Sequence, residues 1–213
     1  KDLTALLEHF VRRIKKSSVT LNLGKKIGDD TIKHKDFDAI VVATGSDPKP
    51  LDVPVKTSAK QFTSIEALNA PETVGERVAV VGAGATGCEV SVFLSNMGKR
   101  VQLLEAGDEI LMDLEVDFNK IDLRRMLNQA GIKPKTGVKI EEIDDKGVLI
   151  STRRKRSLVP ADSVIVSIGL KANRNLYDSL KQKCQEIHRI GDSKTPRRLY
   201  HAIHEGHQIG ALT

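Results

Sequence analysis

Aromatic residues, cysteines and long apolar runs are all scarce in this 213-residue chain. Aromatic side chains make up 3% and tryptophan is absent, so the cores must be aliphatic. No apolar run reaches the length of about 18 residues that a transmembrane helix needs, and the charged start, KDLTALLEHFVRRIKK, is unlike a signal peptide. The two cysteines, Cys88 and Cys184, form no CxxC pair and no metal-binding spacing. These absences favour a reducing, cytoplasmic setting with free thiols and no membrane partner.

The net charge of +6 raises the question of nucleic-acid binding. The densest basic cluster is TRRKR, residues 152–156, between two runs typical of strands, GVLIS and LVPADSVIVSIG. Nucleic-acid platforms also need aromatic side chains on which bases stack, and this region has none. We therefore interpret the cluster as a solvated hairpin tip rather than a binding patch, and expect no nucleic-acid partner.

Hydrophobic periodicity predicts helices and strands that alternate along the chain. Residues 3–14 have helical spacing with one stripe to bury, and residues 19–24 alternate as a strand does. The apolar run FDAIVVATGS, residues 37–46, is typical of a buried parallel strand. The later predicted elements are a short helix at SIEALN, a strand at 77–82, a helix at 85–97, a strand at 100–105, a helix at 115–130, strands at VKIEEIDD, GVLIST and LVPADSVIVSIGL, a short helix at YDSLKQ, a strand at EIHRIG and a closing helix at 198–211. This alternation predicts the α/β class.

A glycine-rich turn, VAVVGAGATGCEV, carries the strongest functional signal. Its glycines fall as Gly82-x-Gly84-x-x-Gly87, after a predicted strand and at the start of a predicted helix. Gly82 permits the tight turn, Gly84 lets the backbone approach a pyrophosphate, and Gly87 lets the helix pack close to the strand. The first N–H groups of the helix, at Ala85, Thr86 and Gly87, would then bind the phosphates.

The next predicted strand ends in Glu105, where such a motif has a carboxylate for the 2′-hydroxyl of a ribose. Because a carboxylate repels a 2′-phosphate, we predict that NAD(H) binds in preference to NADP(H). A purely structural role for Glu105, as the cap of an exposed strand end, stays open.

Three further stretches extend the pattern: VVATGSDPKP before the nucleotide motif, VIVSIGLKAN after it, and IHRIGDSKTPRRLYHAIHEGHQIG near the end. In this order the chain resembles flavoproteins in which an NAD-binding domain is inserted into an FAD-binding domain. It looks most like the C-terminal portion of the multidomain old yellow enzyme family of NADH:flavin oxidoreductases, which includes 2,4-dienoyl-CoA reductase, 2-enoate reductase and trimethylamine dehydrogenase. The resemblance implies a Rossmann-like NAD-binding domain at 75–170 within an incomplete FAD-binding domain formed by 1–74 and 171–213.

The resemblance also implies roles for single residues on the FAD side. Gly191 and Asp192 match the pair whose carboxylate binds the ribityl chain of FAD. Thr44 and Gly45 belong to the first crossing between the two domains.

On the NAD side, Gly169 matches the glycine of the second crossing, where the backbone passes beside NAD. Glu89 matches a position near the nicotinamide. The family commonly has proline where this chain has Ala172. This departure affects only the expected geometry of the local turn.

No second GxGxxG, which the family uses to hold the FAD pyrophosphate, occurs in the sequence, and neither an FMN barrel nor an iron–sulfur cysteine cluster is recognisable. We therefore expect a C-terminal fragment of a longer protein, whose partners are an FMN barrel and a first FAD segment of the same protein; a homo-oligomer is left open. FAD is expected in the intact protein and little or none on this chain.

In the intact protein, the resemblance implies that NADH passes hydride to FAD, and that FMN then reduces an activated C=C bond or a similar substrate. We assign no acid–base residue and no metal site, since His201, His204 and His207 lack the spacing that brings two histidines together on a helix. Two alternatives remain. A disulfide reductase of the thioredoxin reductase type is disfavoured by the missing CxxC, and the third possibility is a non-catalytic NAD-binding module.

Overall fold

The computed structural model describes residues 2–28, 32, 37–56, 60–115, 117–153 and 155–212. The chain divides into two compact units, Lys1–Val42 with Asn175–His188 and Ala43–Arg174 with Arg189–Thr213. Among the described residues, no helix is long and apolar enough to cross a membrane.

The smaller unit contains helix α1 (Asp2–Lys15), strand β1 (Ile40–Val42) and helix α5 (Asn175–Leu180). Strand β11 (Ile187–Arg189), which begins in this unit, pairs with β1. The predicted first helix is thus confirmed, but the prediction that its apolar stripe is buried is wrong, because Leu3 and Leu7 are 66% and 65% exposed.

The strand predicted at residues 19–24 is also wrong. The structure describes this segment in full and gives it no strand, only a turn at Leu23 and Gly24. Its apolar residues Val19, Leu21 and Leu23 are exposed. Alternation in the sequence therefore did not suffice here, since a strand also needs a hydrogen-bonded neighbour to be stable.

A parallel four-stranded sheet is the centre of the larger unit. Its strands, in spatial order, are β3 (Gln61–Thr63), β9 (Ser163–Val166), β4 (Arg77–Val81) and β5 (Arg100–Leu104). Three helices belong to this part of the chain: α2 (Ser64–Asn69), α3 (Ala85–Asn96) and α4 (Asp117–Gln129). This arrangement confirms the predicted α/β class.

Strand β4 contributes to the cores on both faces of the sheet, because its side chains alternate. Val78 and Val80 belong to a cluster with buried residues of α3 and α4, while Ala79 and Val81 belong to a second cluster. The second cluster includes residues of a three-stranded antiparallel sheet made of β6 (Lys139–Asp144), β7 (Gly147–Ser151) and β8 (Arg156–Pro160). Burial on both faces thus explains why four consecutive residues of β4, Val78 to Val81, are all apolar.

The larger unit also contains a short 3-10 helix (Pro71–Thr73), a strand pair and the C-terminal helix. Strand β2 (Ser46–Pro48) pairs antiparallel with β10 (Leu170–Ala172). A single 3-10 turn at Gly191–Ser193 precedes helix α6 (Leu199–Leu212). The run LVPADSVIVSIGL, predicted as one strand, is divided among β8, β9 and β10, with Gly169 at φ +97° just before β10.

Candidate functional site

The glycine turn joins β4 to α3, and two of its glycines are required by the fold itself. Gly82 has φ +99°, the left-handed region that favours glycine, and a Cβ there would collide with the carbonyl oxygen of Ser167. A Cβ on Gly87 would collide with the carbonyl oxygen of Gly82. Helix α3 therefore packs closely against the end of β4 at Gly87, as the sequence predicts.

Gly84 differs from the other two glycines. Its φ of −68° is accessible to any residue, and it is the N-cap of α3 without a side chain to cap the helix. A Cβ there would lie 2.9 Å from Oδ2 of Asp113, the end of a flexible side chain rather than backbone. Gly84 therefore leaves open the space in front of the first helical N–H groups.

Glu105 follows β5 and accepts two backbone hydrogen bonds. Its Oε2 accepts from the N–H of Ala83 at 2.7 Å, and its Oε1 accepts from the N–H of Gly107 at 2.7 Å. The carboxylate thus ties the glycine turn to the loop after β5. Each oxygen keeps a further lone pair for a ribose hydroxyl, so the structural and the binding role are compatible.

Asp113, which sequence reasoning missed, caps helix α3 from the loop before α4. Both of its carboxylate oxygens lie 3.1 Å from the backbone nitrogen of Ala85, which donates to them. The two residues are 28 positions apart, far beyond the three-residue spacing of a local capping motif. No signal in a single sequence would have indicated this contact.

Three carboxylates therefore surround the start of α3: Glu89, Glu105 and Asp113. Partial burial and the nearby charge of Asp113 raise the pKa of Glu89 above its usual range. Burial, followed by the same three negative charges, raises the pKa of Cys88 to about 12. Cys88 is fully buried, and a thiol that stays protonated is a poor nucleophile, so it is a packing residue.

A cleft of about 1260 Å³ in the larger unit brings most of the predicted nucleotide residues together. Those that line it are Gly82, Gly84, Thr86, Gly87, Glu105 and Gly169. Ala85 contributes the N–H that Asp113 accepts, beside this lining. Glu89, although described, is on α3 and outside the set of residues that line the cleft.

The cleft also has walls that sequence reasoning did not assign. They include the start of α2, at Ser64 and Ile65, and the hairpin between β7 and β8, at Thr152 and Arg153. Of the basic cluster, Arg153 and Lys155 are exposed between β7 and β8, as expected of a hairpin tip. Its first residues nevertheless contribute to the cleft, so the tip is more than a solvated turn.

A second group of predicted residues meets near β2 and β10. The hydroxyl of Thr44 donates to the carbonyl of Asn173 at 2.9 Å, and the N–H of Asn173 donates to the carbonyl of Gly45 at 3.0 Å. The hydroxyl of Ser46 donates to Oδ2 of Asp192 at 3.3 Å. The Gly191–Asp192 turn and the first crossing are thereby brought together.

Glu205 on α6 holds the Gly191–Asp192 turn and was not predicted. Its Oε2 accepts from the N–H of Gly191 at 2.7 Å, and its Oε1 pairs with Arg197 and, at 3.7 Å, with Lys194. Burial alone would raise the pKa of Glu205, but the Gly191 hydrogen bond and the two cations lower it below its usual range. Asp192 in turn accepts from the backbone N–H of Arg197 at 3.1 Å.

Comparisons with known proteins agree with this geometry. A family model described as pyridine nucleotide-disulphide oxidoreductase matches residues 2–197. Cinnamate reductase of Clostridium sporogenes is 27% identical over 96% of this chain, and NADH oxidase of Thermoanaerobacter brockii is 26% identical over 92%. The chain spans 31% of the length of each of these two relatives.

Solved structures give the same result. The structure of a 2-naphthoyl-CoA reductase in complex with 2-naphthoyl-CoA superimposes with a TM-score of 0.89 and 30% identity, over 98% of this chain and 32% of that one. Histamine dehydrogenase from Rhizobium sp. 4-9 shares the fold, with a TM-score of 0.79 and 17% identity over 95% of this chain and 35% of that one.

Proposed function

Because the chain belongs to the pyridine nucleotide-disulphide oxidoreductase family, we propose that it binds NADH and passes hydride to FAD, as the nucleotide-binding portion of an NADH:flavin oxidoreductase. Residues 75–170 would form the NAD-binding domain, and 1–74 and 171–213 would contribute to the FAD-binding domain. In the whole protein, in the cytoplasm, the electrons would continue to an FMN barrel and reduce an activated C=C bond or a similar substrate.

The observation that supports this proposal best is the joint position of the glycine turn and Glu105 in one cleft. The first helical N–H groups lie beside Gly84, where a side chain would intrude, and the N–H of Ala85 donates to Asp113. Such N–H groups bind anionic phosphates, since they carry the positive end of the helix dipole. The carboxylate of Glu105 is at the end of the adjacent strand, 2.7 Å from the turn's own backbone at Ala83.

When bound, NADH supplies the hydride and FAD accepts it, so the hard chemistry belongs to the cofactors. The chain's own residues bind and orient. The N–H groups of the glycine turn would hold the pyrophosphate, Glu105 the ribose, and the backbone at Gly169 would border the nucleotide. Asp192, already an acceptor for Ser46, would accept hydroxyls of the FAD ribityl chain. No residue of the chain is proposed to move a proton.

The alternative of a disulfide reductase has less support. The sequence has no CxxC pair, and Cys88 is buried with a strongly raised pKa. Turnover of NADH by the intact protein with a dye acceptor separates the proposed function from a non-catalytic NAD-binding module, which would bind NADH without oxidising it.

Titration of the chain with NADH and with NADPH tests the nucleotide assignment. We expect NADH to bind more tightly, because the Glu105 carboxylate repels a 2′-phosphate. Glu105→Gln keeps the size of the side chain and removes its charge. It should therefore reduce the difference between the affinities for NADH and NADPH. Equal or tighter binding of NADPH to the unmodified chain would contradict the role given to Glu105.

A further inference from the structure

The carboxylate of Asp113 lies in the space that the glycine turn leaves open. Both oxygens accept from the N–H of Ala85 at 3.1 Å, and both are within 3.2 Å of the point where a Cβ on Gly84 would stand. This position lies against the second glycine of the motif and the first N–H of the helix. In a nucleotide-binding motif, an anionic phosphate binds there. A carboxylate and a phosphate cannot both occupy it.

The loop that carries Asp113 is attached to the glycine turn, which makes the contact more than a chance surface encounter. Leu111 is fully buried and has φ +63°, a conformation that leucine rarely adopts. Its N–H donates to the carbonyl oxygen of Ala83 at 2.8 Å, which fixes the loop to the turn. Asp113 follows two residues later and is exposed, so its side chain can rotate away while the anchor at Leu111 stays in place.

We propose that Asp113 substitutes for the nucleotide phosphates in the nucleotide-free chain, and that it must leave the helix before a pyrophosphate can bind. This inference rests on the proposed function, because it concerns the same cleft. Asp113 then sets the affinity of the site. It stabilises the empty state by capping α3, and it opposes the bound state by competition and by repulsion between like charges.

The expected effect follows from the strength of such caps. Removing an N-cap carboxylate typically changes a helix equilibrium by a factor of about 3 to 30. Because the cap is present only without nucleotide, its removal should tighten the binding of a pyrophosphate ligand by roughly that factor.

Three variants of the full 213-residue chain test the proposal: Asp113→Asn, Asp113→Ala and, as a matched control, Glu115→Gln. Glu115 is an exposed residue two positions further along the same loop, and its substitution also removes one negative charge. Calorimetric titration with NADH and with ADP-ribose, which has the pyrophosphate without the nicotinamide, measures affinity. A thermal melt without nucleotide measures the loss of the cap.

Asp113→Ala should bind NADH and ADP-ribose about 3- to 30-fold more tightly, while Glu115→Gln binds as the unmodified chain does. Asp113→Asn loses the charge but keeps an oxygen that can cap the helix, so it should tighten binding less than Asp113→Ala does. Without nucleotide, Asp113→Ala should melt at a lower temperature, so that weaker stability accompanies tighter binding. Unchanged or weaker binding by the Asp113 variants would overturn the inference alone, as would equal tightening by Glu115→Gln. Failure of every protein, the unmodified chain included, to bind either ligand would overturn the proposed function and the inference with it.

Discussion

Gly82, Gly84 and Gly87 belong to one motif but have different physical roles at the scale of single residues. A side chain on Gly82 or Gly87 would meet backbone carbonyl oxygens, which cannot move without shifting a strand or a helix. At Gly84, the three atoms nearest to an added Cβ all belong to the carboxylate of Asp113. Folding and binding can therefore be separated by choosing which glycine is replaced.

Replacing Gly84 by valine should abolish most NADH binding and leave the fold intact. The added side chain would fill the phosphate position, at a cost of at least two hydrogen bonds to charged oxygens, each worth about 1.5–3 kcal/mol. The affinity should fall by roughly 100-fold or more, as measured by calorimetry. Gly87→Ala is the contrasting variant, since it should lower the thermal midpoint strongly. Normal NADH affinity in a folded Gly84→Val protein would show that the phosphates bind elsewhere.

The pair formed by Arg77 and Asp162 predicts a dependence of stability on pH. Arg77 donates to Asp162 from its backbone at 2.8 Å and from its guanidinium, and the side-chain hydrogen bond is the main cause that lowers the pKa of Asp162 to about 2, from an ordinary value of 3.8. A lowered pKa means that the folded state releases the proton more readily. The stabilisation is therefore complete above pH 3.8 and is lost as the pH falls toward about 2.

Asp162→Asn should accordingly melt at a lower temperature than the unmodified chain at neutral pH, and the difference should shrink as the pH falls toward about 2. Thermal melts across this range, followed by circular dichroism, measure it. A difference that stays constant with pH would mean that the charge of Asp162 does not contribute.

At the scale of elements, helix α6 and the turn before it form one hydrogen-bonded assembly through Glu205. Its side chain is 15% exposed and joins Gly191, Arg197 and Lys194. Glu205→Ala removes the acceptor for the Gly191 N–H, whereas Glu205→Gln keeps an acceptor and loses the charge. Hydrogen exchange of Gly191 should become about tenfold faster in the alanine variant, and less so in the glutamine variant. Equal exchange in all three proteins would contradict the role of Glu205.

How far the sequence predicts these elements depends on whether the signal is local. The strand β4, the glycine turn and the helix α3 are consecutive in the chain, and the structure contains this strand–turn–helix series as the sequence predicts. The contacts of Asp113 with Ala85 and of Glu205 with Gly191 span 28 and 14 residues, and no pattern encodes them. Periodicity predicts that the apolar residues of α1 share one face. It does not predict whether another element packs against that face, and Leu3 and Leu7 are in fact exposed.

At the scale of the whole molecule, similarity to cinnamate reductase and 2-naphthoyl-CoA reductase confirms the resemblance to the multidomain old yellow enzyme family. The chain spans 31% of the cinnamate reductase and 32% of the 2-naphthoyl-CoA reductase. Within the present chain, one consequence for the flavin can be measured directly.

The 213-residue chain, purified alone, should carry little or no FAD, although Asp192 and the first crossing are present. The sequence has one GxGxxG, and the resemblance reserves a second one for the FAD pyrophosphate. Loss of several hydrogen bonds to charged oxygens, at about 1.5–3 kcal/mol each, weakens binding by several orders of magnitude. An absorbance spectrum measures the flavin content. Yellow protein with stoichiometric flavin would contradict the expectation and would mean that the remaining contacts suffice.

The antiparallel pairing of β2 with β10 has a consequence for how such a gene could be rearranged. Ser46 is opposite Ala172 and Pro48 is opposite Leu170, so the two ends of the intervening segment are neighbours across one ribbon. A segment whose ends are neighbours can be inserted into a surface loop of another protein without strain at either junction. Its ends can also be joined and new termini made elsewhere, which gives a circular permutant. This strand pair is therefore a natural point for recombination, at which the segment between Pro48 and Leu170 could pass from one protein to another as a unit.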